Sequence, residues 1–207
     1  MNNEILKRIL SSLILIPIAL FFIIKGSYFF IFFILICFLI SSYEWHFMSK
    51  NKKYYLPGFI FIIFSFYTFY FFRIEGEYRV FLLIFIVCIA TDIGGYIFGK
   101  IFKWKKLSKI SPKKTISGVF GSYFCSIISF VILNNFYSVG RDEFIWAIIF
   151  STVAQTGDLT ISYFKRLEKI KDTGKILPGH GGIFDRIDGL MFVVIVAFFV
   201  QILFINI

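Results

Sequence analysis

The residues with the clearest chemical potential lie in one stretch, Ser162–Asp188, which reads SYFKRLEKIKDTGKILPGHGGIFDRID. These 27 residues hold six Lys or Arg, four Asp or Glu, one His and four Gly, whereas the segments on either side are mostly apolar. Basic side chains neutralise phosphate groups, carboxylates bind divalent metals, and glycines let the backbone approach a ligand closely. The stretch therefore indicates phosphate chemistry in a hydrophobic protein.

Four aspartates are candidate metal ligands. Asp92 and Asp158 lie near the ends of apolar segments and close to glycines, and Asp185 and Asp188 lie three residues apart. An acidic residue in a membrane span costs about 2.5–3.5 kcal/mol on insertion scales and usually faces a polar cavity. Carboxylates at this density suit Mg²⁺, which also keeps water and substrate phosphates as ligands. The alternative for Asp92 and Asp158 is a hydrated side chain at the membrane boundary.

Helical spacing arranges some of these groups. Asp158 and Ser162 are four residues apart and share a helix face, and Lys165 continues that face by another turn. Asp185 and Asp188 share a face at the start of a helix. The spacing predicts a carboxylate, a hydroxyl and a cation along one line at the membrane boundary.

The candidate phosphate ligands are basic residues and a glycine turn. Lys113 and Lys114 precede an expected helix start, where backbone N–H groups attract anions, although charge that only sets topology is the alternative. In the turn PGHGG, Gly181 and Gly182 permit close backbone approach. His180 could donate to a phosphate or act as an acid or base, or it could be a hydrogen-bonded loop residue. The remaining basic candidates are Lys165, Arg166, Lys171 and Arg186.

The amino-acid composition indicates that the protein lies in a membrane. The chain is 58% hydrophobic with a mean hydropathy of +0.84, whereas a soluble domain is about 45–50% apolar. About 20 apolar residues cross a bilayer as a helix, and shorter runs are accommodated by tilt. Seven spans are predicted: Ile9–Ile24, Ser27–Tyr43, Leu56–Phe72, Val80–Phe98, Gly118–Asn135, Phe144–Phe164 and Gly189–Ile207.

The predicted fold is an all-α, polytopic membrane protein with a single domain, 1–207. Residues 1–80 form the N-terminal anchor spans, the first of them retained, and residues 81–207 form the catalytic half with cytoplasmic loops 99–117 and 165–188. With the N-terminus in the cytoplasm, the inner segments hold 18 of the 22 Lys and Arg. This distribution explains the net charge of +10 as topology, so no nucleic-acid partner is expected.

The stretch Ser162–Asp188 resembles the signature of the phosphatidate cytidylyltransferases, or CDP-diacylglycerol synthases. The resemblance extends to TDIGGYIFGKIF around Asp92, to Ser111–Gly118, to Gln155–Leu159 and to the N-terminal region 7–45, so it covers most of the chain. The signature positions are Ser162, Lys165, Arg166, Lys171, Asp172, Pro178, His180, Gly181, Gly182, Asp185, Arg186 and Asp188.

The resemblance implies transfer of a cytidylyl group from CTP to phosphatidate, giving CDP-diacylglycerol and pyrophosphate. It also implies Mg²⁺ bound by Asp158 and Asp185, and a homodimer in the inner membrane. An additional monovalent cation is left open. Asp158, Asp185, Lys165 and Arg186 are then expected to be catalytic. The chain is shorter than typical members between Tyr43 and Val80, which bears on the periphery and the dimer interface.

Three alternatives remain open from the sequence. A related enzyme could use CTP with a polyprenol or an ether lipid. A transporter or channel could use intramembrane aspartates, although these lie at one membrane edge and no internal repeat is visible. A third alternative is a scaffold homologue without activity, although every signature residue is present.

Overall fold

The computed structural model describes residues 2–75, 78–108, 110–137, 143–176 and 181–205, and these residues contain helices but no β-strand. The helices are α1 Asn2–Lys25, α2 Ser27–Ser49, α3 Tyr55–Tyr70, α4 Tyr78–Phe102, α5 Ile116–Tyr137, α6 Glu143–Leu167 and α7 Phe184–Val200. Short π-helical turns, Phe71–Glu75 and Gln201–Ile205, continue α3 and α7.

The prediction of a polytopic helical membrane protein is confirmed. Six helices among the described residues are long and apolar enough to cross a bilayer, and α1 contributes a shorter apolar segment, Leu13–Lys25. Their outward faces carry large exposed apolar side chains, such as Phe32, Ile60 and Phe124 at 62, 67 and 56% exposure. Such faces are stable only against lipid or another apolar surface.

The last helix begins before the predicted membrane span, and the prediction that Asp185 and Asp188 lie at a helix start is confirmed. The predicted span starts at Gly189, whereas α7 starts at Phe184, so Asp185 and Asp188 lie in its first turns. Both aspartates are buried, and both accept backbone or side-chain hydrogen bonds. The predicted boundary of the span, placed where the apolar run begins, is therefore too late. Hydrogen-bond partners inside the protein take the place of water around the two aspartates, so these charged residues can lie within the buried part of the helix.

Trp45 joins the ends of four helices next to these aspartates. Its indole is 2% exposed and donates a hydrogen bond to the carbonyl oxygen of Tyr55 (3.0 Å). The rings of Tyr54, Phe164 and Phe184 surround it at centroid distances of 6.0, 5.9 and 5.8 Å. This cluster brings the end of α2, the start of α3, the end of α6 and the start of α7 together.

Glycines allow α4 and α5 to pack more extensively than any other pair of described elements. A Cβ on Gly94 would lie 2.2 Å from the carbonyl oxygen of Gly121, so neither backbone could approach as closely with a larger residue. Ser122 Oγ also donates to the carbonyl oxygen of Thr91 (2.8 Å). This packing fixes the position of Asp92, one residue further along α4.

The loop between α4 and α5 folds back on itself. Leu107 N donates to the carbonyl oxygen of Lys114 (2.8 Å), and Ile116 N donates to that of Lys105 (3.0 Å). The loop thereby holds Lys114 at the entrance to α5, beside the end of α6.

Candidate active site

A buried ion pair joins the end of α6 to the start of α7. Lys165 Nζ lies 2.8 Å from Asp185 Oδ1, and the two side chains are 9% and 2% exposed. Asp185 Oδ2 accepts hydrogen bonds from Thr173 N (2.8 Å) and Gly182 N (3.0 Å). Three donors therefore surround this carboxylate and fix its position.

A second, more open ion pair lies between α5 and α6. Lys114 Nζ lies 2.6 Å from Asp158 Oδ2, and the side chains are 26% and 31% exposed. Ser162 Oγ donates to Asp158 Oδ1 (3.2 Å), which confirms that these two residues share a helix face. Because this pair keeps access to solvent, an incoming phosphate could reach both partners.

Asp92 and Asp188 lie beside this second pair. Together with Arg186 and Cys88 they line a cavity of about 40 Å³ between α4, α6 and α7. Asp92 is close enough to Asp158, Lys114 and Arg186 to interact with their charges, and Asp188 interacts with Asp158 and Lys165 in the same way. The predicted aspartates and the basic residues Lys114, Lys165 and Arg186 therefore gather at one end of the helical bundle.

The carboxylates at this end of the bundle suit a magnesium ion that also binds water and substrate phosphates. No group of three or more His, Cys, Asp or Glu within the described part of the chain is close enough to enclose a metal by itself. Asp158 offers partly exposed oxygens, and Asp92 and Asp188 lie nearby, whereas the oxygens of Asp185 are already hydrogen-bonded. Mg²⁺ commonly binds one or two carboxylates and completes its shell with water and substrate phosphates, so these residues fit it.

The other predicted phosphate ligands have varied positions. Lys113 and Lys171 are exposed beside the site, and Arg166 donates to the carbonyl oxygens of Ile170 (2.8 Å) and Ile110 (3.4 Å). Gly181 has a φ of +88°, a conformation that favours glycine, and Gly182 is buried. His180 lies outside the described residues.

Glu44 is a site residue that the sequence reasoning missed. This carboxylate near the end of α2 is 2% exposed and accepts hydrogen bonds from the backbone at the start of α7. The sequence does contain a signal for this residue. Glu44 is an acidic residue at the end of an apolar span, as are Asp92 and Asp158, so the same criterion would have selected it.

The end of α6 is also bound to the loop between α2 and α3. Glu168 Oε2 pairs with Lys52 Nζ (2.9 Å), and Glu168 Oε1 accepts the hydroxyl of Tyr54. These two contacts lower the pKa of Glu168. Burial, followed by the hydrogen bond to Glu168, raises the pKa of Tyr54 to about 12.

Another cavity lies at that same loop between α2 and α3. It has a volume of about 420 Å³, and its lining includes His46, Lys50, Lys53 and Tyr55 but no carboxylate. His46 Nδ1 and the Tyr55 hydroxyl are hydrogen-bonded at 2.9 Å, as suits a residue at the membrane boundary. This cavity lacks the acidic ligands for metal-assisted chemistry, so the carboxylate end of the bundle is the candidate active site.

The fold and the site together define a polytopic membrane protein that gathers carboxylates and cations for phosphate chemistry at one end of its bundle. The profile of the cytidylyltransferase family matches residues 6–81 and 73–204, and the chain belongs to this family.

Curated relatives with the name phosphatidate cytidylyltransferase are similar to this chain. The protein of Staphylococcus epidermidis is 39% identical over 168 residues, which cover 75% of this chain and 63% of the relative. The protein of Staphylococcus aureus is 40% identical over the same coverage. That of Staphylococcus haemolyticus is 40% identical over 158 residues, or 70% of this chain and 60% of the relative. The chain thus spans less than two thirds of the length of these relatives.

Proposed function

We propose that this protein transfers the cytidylyl group of CTP to phosphatidate, giving CDP-diacylglycerol and pyrophosphate. The observation that carries the proposal is the convergence of Asp92, Asp158 and Asp188 with Lys114 and Arg186 at a single end of a membrane bundle. The name of the staphylococcal relatives supports CTP and phosphatidate as the substrates.

The reaction needs charge neutralisation more than acid–base chemistry. A phosphate oxygen of phosphatidate attacks the α-phosphorus of CTP, the new P–O bond forms, and the bond to the β-phosphate bridging oxygen breaks to release pyrophosphate. The attacking group is already ionised, so a strong general base is not required. Both reactants are anions, so the protein must hold them together in line and offset their repulsion.

The described residues can meet this requirement. Lys114 and Asp158 keep access to solvent, so Lys114 can exchange its contact with Asp158 for one with a substrate phosphate. Arg186 and the exposed cations Lys113, Arg166 and Lys171 contribute further positive charge, and Ser162 orients Asp158. Lys165 stays with Asp185 in the buried pair and holds α6 against α7.

Asp158, together with one of the neighbouring carboxylates Asp92 and Asp188, would hold Mg²⁺, and water and substrate phosphates would supply the remaining ligands. A bound divalent ion would supply electrostatic stabilisation of charge on the transferring phosphoryl group. We also assign Asp185 to this site, where it holds Lys165, Thr173 and Gly182 in position through its hydrogen bonds.

The decisive experiment measures pyrophosphate release by the purified protein in mixed micelles or vesicles. CTP with phosphatidate and Mg²⁺ is expected to release pyrophosphate and form CDP-diacylglycerol, and chelation by EDTA is expected to stop the reaction. Parallel reactions with dCTP, ATP, a polyprenyl phosphate and an ether-linked phosphatidate define the specificity. Absence of CDP-lipid with CTP and phosphatidate, while another pair reacts, would overturn the proposed substrates.

We further propose that the carboxylate end faces the cytoplasm of a cell whose inner membrane holds the protein. The excess of Lys and Arg on that side supports this orientation, and CTP is a cytoplasmic metabolite. Following the resemblance, we expect a homodimer, which size-exclusion chromatography with light scattering in detergent would detect.

A further inference from the structure

Glu44 is the buried acid for which the proposed reaction has no use. Its Oε2 accepts Phe184 N (2.9 Å) and Thr173 Oγ1 (3.1 Å), and its Oε1 accepts Ile183 N (3.1 Å). The donors lie about 130–140 residues away in the chain, so Glu44 joins α2 to the start of α7 and to the segment before it.

Two glycines leave the space that this carboxylate occupies. A Cβ on Gly182 would lie 2.2 Å from Glu44 Oε2, and a Cβ on Gly174 would lie 2.4 Å from Oε1. Distances under about 3 Å are not found at real Cβ atoms, so a side chain at either position would displace Glu44. Gly174 and Gly182 therefore leave room for the Glu44 carboxylate.

Glu44 and Asp185 divide the donors at this helix start between them. Gly182 N donates to Asp185, whereas the next two N–H groups, of Ile183 and Phe184, donate to Glu44. Thr173 bonds to both, through its N–H to Asp185 and its hydroxyl to Glu44. The N–H groups and the helix dipole offset the repulsion between the two carboxylates.

We propose that Glu44 is a positioning residue for the active site. This inference rests on the proposed function: Glu44 holds Thr173 and the first turn of α7 in place, and so sets where Asp185 and Asp188 point. Glu44 does not touch substrate; it acts through Asp185, which shares Thr173 and this helix start with it. Loss of Glu44 then misplaces the reacting phosphates, and a displacement of about 1 Å can cost about 100-fold in rate.

The first test replaces Glu44 by Gln, which keeps the size but presents an NH₂ group to donors. We expect kcat to fall about 10–100-fold while the KM values for CTP and phosphatidate change less than about threefold. Glu44→Asp, which keeps the charge, should retain more activity than Glu44→Gln. The matched control is Glu75→Gln, an exposed acid at the far end of α3, which should behave as wild type.

A second readout does not require any activity. Hydrogen–deuterium exchange at Ile183 and Phe184 should become at least about tenfold faster in Glu44→Gln, because exchange follows local opening. If wild-type protein makes no CDP-lipid but this protection is present and is lost in the variant, the proposed function fails while the docking role stands. Unchanged exchange in Glu44→Gln would overturn the docking role itself.

A compensating pair separates positioning from general stability. Gly174→Ala alone should lower kcat at least about tenfold, because its Cβ would meet only atoms of the Glu44 side chain, Oε1 at 2.4 Å among them. Combining it with Glu44→Asp withdraws the carboxylate by about one methylene and should restore kcat at least about fivefold over Gly174→Ala, an interaction between the two sites. If the double variant is no better than Gly174→Ala, or if every variant loses activity only in proportion to folded protein, the positioning role is wrong.

Discussion

Lys165 and Lys114 neutralise aspartates in different surroundings. The pair of Lys165 with Asp185 is buried and supported by two backbone donors, whereas the pair of Lys114 with Asp158 is about one-third exposed. Burial makes the first pair costly to break and the second easy to exchange with a ligand. We therefore assign structure to the first pair and substrate contact to the second.

Replacing Lys165 by Met should destabilise the protein by about 3 kcal/mol, because Asp185 is left buried without its counterion. Adding Asp185→Asn to that variant should recover part of the loss, since the uncompensated charge is removed. Thermal unfolding in a single detergent measures both effects. Equal stability of Lys165→Met and wild type would contradict the buried ion pair.

Asp158→Asn should lower CTP-dependent pyrophosphate release by about 100-fold or more with a small change in stability, because it removes charge at the reacting phosphates. Lys114→Gln should also lower the rate, and the double variant should lose less than the product of the two single losses. Metal-dependent turnover near wild type in Asp158→Asn would exclude this residue from the site, with Glu75→Gln as the control.

At the scale of elements, close helix contacts and loop bonds carry the functional residues into place. α4 reaches α5 through Gly94 and Gly121, and the loop before α3 reaches the end of α6 through Tyr54 and Lys52. The first contact lies next to Asp92 and the second lies near Lys165 in α6. Each contact can be tested by a measurement that does not depend on the proposed reaction.

Gly94→Ala should destabilise the protein by about 1–3 kcal/mol, because its Cβ would meet a backbone oxygen that cannot move aside. Activity should fall with it, since α4 carries Asp92. The matched control is Gly99→Ala in the same helix, where a Cβ would meet the side-chain oxygen of Thr115 at 3.0 Å. Comparable unfolding temperatures for the two variants would refute the close α4–α5 contact.

Tyr54 should titrate with a pKa of about 12. Subtracting the ultraviolet pH titration of Tyr54→Phe from that of the wild type gives the titration of Tyr54 alone, without the other tyrosines. Because this pKa lies above the usual value of about 10, the stabilisation from the neutral phenol is complete below about pH 10 and is lost as pH rises through 12. Glu168→Gln should lower the midpoint but leave it above about 10, since burial is the larger cause. A midpoint unaffected by Glu168→Gln would contradict the bond.

Glu168 has the opposite pH dependence. The Tyr54 hydroxyl and Lys52 lower its pKa, so its contribution is present above the unfolded value of about 4.3 and is lost as pH falls below it. The loop before α3 and the end of α6 therefore stay joined throughout the neutral range in which the enzyme would work.

At the scale of the whole molecule, the helices alternate in direction, so that the ends bearing the site lie on one side. The contacts Glu44–Phe184, Lys52–Glu168 and Lys114–Asp158 all join elements at that side. Most Lys and Arg of the chain fall in the segments that connect those helix ends. Topology and site geometry therefore agree.

Cysteine labelling tests the orientation in a background without Cys37, Cys88 and Cys125. A membrane-impermeant maleimide should label Glu75→Cys in intact cells and Lys53→Cys only after permeabilisation, because these exposed residues lie at opposite ends of α3. The reverse pattern would place the carboxylate end outside the cytoplasm.

The amino-acid sequence was enough to predict the helices, their alternation and most of the residues that meet at the carboxylate end of the bundle. Apolar runs and a helical period of 3.6 are local properties, so the seven helices, the shared face of Asp158 and Ser162, and the charged ends could be predicted. The helix start at Asp185 and Asp188 was predicted as well, but the membrane span was placed too late, at Gly189, because buried partners of the two aspartates extend the span beyond the apolar run.

The pairing of the charged groups depends on the packing of the helices and could not be predicted from the sequence. Lys165 could have faced a phosphate as readily as Asp185, and Lys114 is 44 residues from Asp158 in the chain. These pairings depend on how closely glycine-bearing helices approach and on what fills the space around Trp45. The role of Glu44 could not be predicted for the same reason. Its hydrogen-bond donors, Ile183 N and Phe184 N, lie about 140 residues further along the chain, and the packing of α2 against α7 brings them to the buried carboxylate.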